Sequence, residues 1–224
     1  MSHNRRRAIF SAGREALKAL LPDQEVDRYA CPICSNVFDA DALEHGDLTL
    51  EHVPPRSIGG KGIALTCFQC NSGAGTRIEA EWLKRMHLDR FARALLERSD
   101  TYQGRVRLEM LGEQLNFELD THGGDDGQTL LRAVENDPKA LDRLREARKE
   151  VVDRGEWEGQ EMRLTPRVRF RPRRARVGEL KSGFLVVFAL FGYRYALSNH
   201  LRKVRAQILD PDEQVIPRFW VSLL

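Results

Sequence analysis

The chain has 224 residues, of which 42% are hydrophobic and 31% are charged. This composition is typical of a globular protein and excludes a disordered or membrane-embedded chain. The net charge of +3 is too small to identify a partner, so only the local distribution of charge is informative. No apolar run reaches the roughly 18 residues that span a bilayer, and we expect no membrane association.

The first part of the chain is predicted to alternate helices with a short hairpin. Apolar residues recur at helical spacing over 5–21 and again over 71–98. Between these helices, 48–50 is predicted to form a strand that runs into Glu51-His52, and 63–66 to form the returning strand.

The clearest hairpin is predicted over 105–120, where apolar residues alternate with charged ones on both strands. Folding about Gly112-Glu113 as a type II′ turn pairs Val106 with Leu119 and brings opposite charges together on the other face.

The remainder is predicted to be a mixture of helices and strands. A loop rich in glycine and aspartate at 122–127 marks a domain boundary, and Asn136-Asp137-Pro138 is a typical helix N-terminus. We then expect a helix to about Arg154, strands within 160–171, a buried helix over 179–198, a short helix over 199–209 and a strand-like segment over 214–224.

The four cysteines form two identical pairs, Cys31-Pro-Ile-Cys34 and Cys67-Phe-Gln-Cys70. A two-residue gap lets two thiolates from one turn bind the same ion, and two such turns complete a tetrahedron, so we predict a structural zinc ion. The alternatives are two disulfides or a redox motif. The N-terminus lacks the apolar stretch of a secretory signal, so we expect a reducing, cytoplasmic environment.

The segment between the cysteine pairs carries candidate catalytic residues. The zinc ion would draw Glu51, His52 and Asn71 into one small volume. Carboxylate and amide oxygens suit Mg²⁺ or Mn²⁺, and a neighbouring histidine can take a proton from water. These residues predict a phosphodiester-hydrolysing site. Asparagine at this place is also a common helix N-cap.

At this point the sequence resembles a known family. The pattern Cys-x2-Cys, Glu-His-Val-x-Pro, Gly-Gly and Leu-x-Cys-x2-Cys-Asn, over about 28–80, is similar to that of HNH endonucleases with a zinc-bearing ββα-metal finger. The resemblance implies that His52 is the general base, that Glu51 and Asn71 bind a catalytic divalent ion, and that Cys31, Cys34, Cys67 and Cys70 bind zinc. The chain departs from the family pattern in having Glu51 rather than aspartate, no asparagine near Gly62, and Ala74 in place of a basic residue.

A second charged feature lies within 163–176. Arg167, Arg169 and Arg171 alternate with Val168 and Phe170, so a strand here would place three guanidinium groups on one face. Such a face would bind the phosphates of nucleic acid. The alternative is a solvated edge strand that its charges protect from aggregation.

Together these features predict an α+β protein with a zinc-stapled ββα-metal finger. We expect an N-terminal helix over 1–27, the nuclease domain over 28–98 and an α+β region over 99–224 that binds substrate, a protein partner or a second copy. The predicted function is a divalent-metal-dependent HNH endonuclease acting on nucleic acid, with DNA favoured over RNA. The alternatives are a non-catalytic zinc-dependent nucleic-acid-binding module and a protein-interaction component.

Overall fold

A computed structural model of the chain describes residues 2–22, 27–97, 100–121 and 129–216. The chain is a mixed protein of helices and strands. The helices are α1 (Ser2–Leu20), α2 (Ala42–His45), α3 (Phe68–Ala74), α4 (Ala80–Ala92), α5 (Pro138–Asp153), α6 (Pro172–Ala196) and α7 (Arg202–Leu209). The strands are β1 (Tyr29–Ala30), β2 (Val37–Phe38), β3 (Leu48–Val53), β4 (Lys61–Cys67), β5 (Gln103–Met110), β6 (Glu113–Asp120), β7 (Leu130–Ala133) and β8 (Arg163–Pro166).

The helices agree well with the sequence prediction. Helix α1 covers the first predicted helix, and α3 and α4, with π-helical turns at Gly75–Glu79 and Arg93–Glu97, cover the second. Asp137 caps α5 by accepting a hydrogen bond from the backbone N–H of Lys139, with Pro138 at the first helical position. No helix in the described part of the chain is long and apolar enough to cross a membrane.

The chain divides into two compact units, at places that differ from the predicted boundaries at 27/28 and 98/99. One unit comprises Met1–Leu83 and Phe170–Leu224, and the other comprises Lys84–Arg169. The C-terminal helices therefore belong with the cysteine-bearing segment. The reason is burial, because Val177 and Leu185 of α6 share one apolar core with Leu48 and Leu65 of the β3–β4 hairpin. The predicted boundary loop at 122–127 lies outside the described residues.

In the first unit, β1 pairs with β2 and β3 pairs with β4, both antiparallel, and α3 begins directly after β4. We call the segment from β1 to α3, residues 29–74, the finger. Two glycines shape the β3–β4 loop, since Gly59 has a positive φ and a Cβ on Gly60 would lie 1.4 Å from the carbonyl oxygen of Pro54. A side chain at position 60 would therefore clash with the backbone at Pro54, so this close approach requires glycine.

The second unit contains a four-stranded antiparallel sheet in the order β7-β6-β5-β8. The predicted hairpin forms, but the predicted strand register is wrong by two residues. Val106 pairs with Phe117 rather than with Leu119. The turn residues are Leu111 and Gly112, both with positive φ, which is the type I′ geometry that matches the twist of the strands. The slip preserves both faces because side chains alternate with a period of two.

Two other predictions of strands are wrong. Strand β8 ends at Pro166, so 167–171 is not a strand and its arginines do not share a strand face. Residues 214–216 are not a strand either, and the rest of the last predicted segment lies outside the described residues.

A buried tyrosine ties α6 to the start of the finger. The Tyr193 hydroxyl donates to the carbonyl oxygen of Ala30 at 2.6 Å and accepts from the Ala30 N–H at 3.1 Å. Tyr29 beside it donates to the carbonyl oxygen of Leu65 at 2.8 Å. These bonds satisfy buried backbone groups next to Cys31 and thereby fix the position of the first cysteine pair.

We expect Tyr193→Phe to lower the free energy of unfolding by about 2 kcal/mol, because it leaves two buried backbone groups without a partner. Tyr195→Phe is the matched control, since Tyr195 is exposed and its hydroxyl makes no hydrogen bond in the described part of the chain. Denaturant titration of both variants measures the difference. Equal stability of the two would show that the Tyr193 hydroxyl does not hold β1 in place.

Candidate functional site

The four cysteines converge as the sequence predicts. Cys31 and Cys34 lie in the turn between β1 and β2, Cys67 ends β4, and Cys70 lies in the first turn of α3. All four are free, and their sulfur atoms lie within 4.8 Å of one another. The disulfide alternative is therefore wrong for this structure.

The sulfur geometry suits a tetrahedral zinc ion. Zinc–sulfur bonds of about 2.3 Å give sulfur–sulfur distances of about 3.8 Å in a tetrahedron, and the Cys34 and Cys67 sulfurs are 3.7 Å apart. The Cys31 thiol lowers the pKa of Cys34 far below its ordinary value and that of Cys67 to about 7 by donating to their thiolates. The Cys67 N–H also donates to the Cys31 sulfur at 3.4 Å. The cluster can thus hold zinc as a closed, structural site.

Asn71 follows the last cysteine and contacts strand β3. Its Nδ2 donates to Thr49 Oγ1 at 2.9 Å and to the Leu50 carbonyl oxygen at 3.4 Å. Its Oδ1 accepts no hydrogen bond from any described residue. Asn71 therefore lies against the strand that carries Glu51 and His52, and its contacts are with Thr49 and Leu50.

His52 is half-buried, and its side chain makes no hydrogen bond or ion pair within the described residues. The register shifts between Glu51 and His52, because Glu51 pairs with Ala64 whereas His52 pairs with Gly62. The extra residue, Ile63, makes a β-bulge, a feature that re-aims neighbouring side chains. His52 is thus partly exposed, and its imidazole has no partner among the residues that the structure describes.

Glu51 has a different environment from the one that the resemblance implies. Its carboxylate is buried and lies 2.7 Å from the Lys181 ammonium of α6, while its second oxygen accepts from Thr66 Oγ1 at 3.2 Å. Burial raises the pKa of Glu51, and the ion pair and hydrogen bond oppose that shift. Both oxygens are engaged, so Glu51 does not fit the role of a divalent-ion ligand in this arrangement.

Sequence reasoning missed Lys181 and Glu79. Lys181 also lies 2.5 Å from Glu79, so one ammonium joins two carboxylates. The available signal was a lysine inside a predicted buried helix, because a buried charge requires a partner of opposite sign. Nothing in the spacing identifies that partner, which lies 130 residues away in the case of Glu51.

The structure separates the predicted arginine stripe. Arg167 and Arg169 belong to the second unit and line a groove of about 450 Å³ together with Arg107, Glu109 and Thr165. Arg171 belongs to the first unit, where it immediately precedes α6 and its backbone N–H donates to the carboxylate of Glu81 in α4. Arg107 and Arg169 are exposed and have no ion-pair partner within the described residues. Arg107 was not among the arginines that the sequence predicted to bind phosphate.

No family model, curated protein or solved structure matches this chain. The resemblance to HNH endonucleases therefore depends on the finger motif alone.

We expect Cys67→Ser to lose the zinc ion and to lower the melting temperature, because a closed thiolate site contributes its binding free energy directly to folding. Elemental analysis should find about one zinc per chain in the unmodified protein. Ser72→Ala changes an exposed residue of α3 outside the cluster and serves as the control. A Cys67→Ser protein with unchanged zinc content and melting temperature would contradict a structural zinc site.

Proposed function

We propose that the chain is a zinc-stabilised endonuclease of the HNH type that hydrolyses phosphodiester bonds in nucleic acid, with DNA as the favoured substrate. One observation carries the proposal. The cysteine frame joins a β-hairpin to a helix so that Asn71 bonds to β3 immediately before Glu51 and His52. The accessible, unengaged imidazole of His52 supports a role as the general base.

The chemistry follows from that role. His52 would take a proton from a water molecule, and the water oxygen would form a new bond to phosphorus. One bridging P–O bond breaks, and the leaving oxygen takes a proton from solvent. Two cationic side chains lie near His52 along the chain or in the strand pairing. Lys61 pairs with Val53, the residue after His52, and Arg56 lies in the loop that follows β3. Their positive charges favour phosphate binding.

A divalent ion, Mg²⁺ or Mn²⁺, would supply charge neutralisation at the scissile phosphate. Asn71 fits as a ligand, because its Oδ1 is unengaged. Glu51 does not, because both of its oxygens have partners. The requirement for a divalent ion remains a prediction. If an ion binds here, oxygen ligands other than Glu51 must hold it together with Asn71.

A second candidate is a zinc-dependent nucleic-acid-binding module without catalysis. The Glu51–Lys181 ion pair favours it, because an acid withdrawn into the core cannot take part in chemistry at the surface. Incubation with plasmid, linear duplex, single-stranded DNA and RNA, with and without Mg²⁺ or Mn²⁺, separates the two candidates. Salt-sensitive binding without cleavage would support the second.

We expect His52→Ala to reduce the cleavage rate by about 10²–10⁴-fold, the usual effect of losing a general base, and to leave nucleic-acid affinity nearly unchanged. His45→Ala is the control, because His45 is an exposed histidine of α2 with no partner in the described part of the chain. Cleavage at an unchanged rate by His52→Ala would remove His52 from the mechanism.

We expect joint replacement of Arg107, Arg167 and Arg169 by Gln to weaken binding of duplex DNA and to flatten its salt dependence. Each arginine that no longer neutralises a phosphate should reduce the log–log slope by about 0.9. Replacing the exposed Lys139, Arg145 and Lys149 of α5 removes the same charge from the same unit and controls for net charge. An identical slope in the two triple variants would mean that the groove does not bind phosphate.

A further inference from the structure

One buried lysine lies between Glu51 of the finger and Glu79 of the helical turn that follows it. The side chain of Lys181 is only 1% exposed, and those of Glu51 and Glu79 are 3% and 16% exposed. The ammonium lies 2.7 Å from Glu51 and 2.5 Å from Glu79. A buried ammonium is retained only where such partners offset its lost hydration.

The fold holds Lys181 there by a close helix contact. Gly178 lies three residues earlier on the same face of α6, and a Cβ at that position would be 3.1 Å from the carbonyl oxygen of Ile78. This glycine lets α6 approach the helical turn that carries Glu79. The position of the ammonium is therefore built into the backbone packing of the first unit.

The polar contacts at this place are those that a small hard cation would use. Two carboxylates face one point, and Thr66 donates to the outer oxygen of Glu51. Oxygen ligands of this kind suit Mg²⁺ or Mn²⁺. An ammonium already lies within hydrogen-bond distance of both acids, so a divalent ion could enter only by displacing it.

We propose that Lys181 is the resident cation of this site and takes the place of a divalent ion at Glu51, so that the native chain binds no such ion there. Glu51 then fixes α6 to β3 instead of serving as a metal ligand. The proposal concerns ion binding by the chain alone. It is tested without nucleic acid, and its outcome is independent of whether His52 supports cleavage.

The test measures Mn²⁺ binding by the zinc-loaded protein. Electron paramagnetic resonance gives the amount of bound Mn²⁺. The melting temperature is measured with Mn²⁺ and, separately, with a weak chelator that leaves zinc in place. The native chain and Glu51→Gln should bind Mn²⁺ equally, because Glu51 contributes nothing. Weaker binding by Glu51→Gln, with loss of a Mn²⁺-induced rise in melting temperature, would overturn the proposal.

Lys181→Met provides the converse measurement, since Met retains much of the stem and leaves two carboxylates without their cation. We expect the melting temperature to fall by about 10 °C, and Mn²⁺ to bind roughly tenfold tighter than to the native chain and restore part of that loss. Adding Glu51→Gln to this variant should abolish the gain in Mn²⁺ affinity. The control Lys203→Met, at an exposed lysine of α7, should show no gain in Mn²⁺ affinity. A folded Lys181→Met protein that binds Mn²⁺ no more tightly than the native chain would overturn the proposal. If Lys181→Met does not fold, the comparison of the native chain with Glu51→Gln decides alone.

Discussion

The approach of four cysteine sulfurs to within 4.8 Å of one another constrains the rest of the finger. Cys67 is the last residue of β4 and Cys70 lies in the first turn of α3, so the cluster fixes the start of that helix on the hairpin. Asn71 can reach Thr49 and Leu50 because of this geometry. Four thiolates this close together would repel one another without a cation at their centre, so a zinc ion bound there would anchor the hairpin to the helix.

The finger is completed by a helix from the other end of the chain. Helix α6 supplies apolar residues to the same core, the Tyr193 hydroxyl that satisfies Ala30, and the ammonium that satisfies Glu51. Residues 28–98 alone would lack both the ammonium that pairs with Glu51 and the α6 side chains that share their apolar core. The cysteine-bearing segment therefore shares one compact unit and one core with α6, although its motif is contiguous in sequence.

Features set by local chemistry could be predicted from the sequence. The spacing of the cysteines, the Asp137-Pro138 helix start and the faces of the β5–β6 hairpin are of this kind. The hairpin register was not predictable from alternation, since a slip of two residues keeps every face and only the Leu111-Gly112 turn selects between registers. The Lys181–Glu51 pair was beyond reach because its partners are 130 residues apart. The predicted arginine strand does not form, because β8 ends at Pro166 and the chain leaves the sheet after Arg167, whose N–H still donates to the Arg105 carbonyl oxygen.

Adjacent residues of one motif thus have opposite environments. Glu51 faces inward to Lys181 and Thr66, whereas the next residue, His52, is partly exposed and has no partner in the described part of the chain. Successive side chains of a strand point to opposite faces, so neighbouring positions of β3 can place one residue in the core and the next on the other face. The motif alone assigns both residues to one site, but burial and partners decide what each can do. In this chain those contacts assign Glu51 to the interior, and the proposed activity therefore rests on His52 and Asn71.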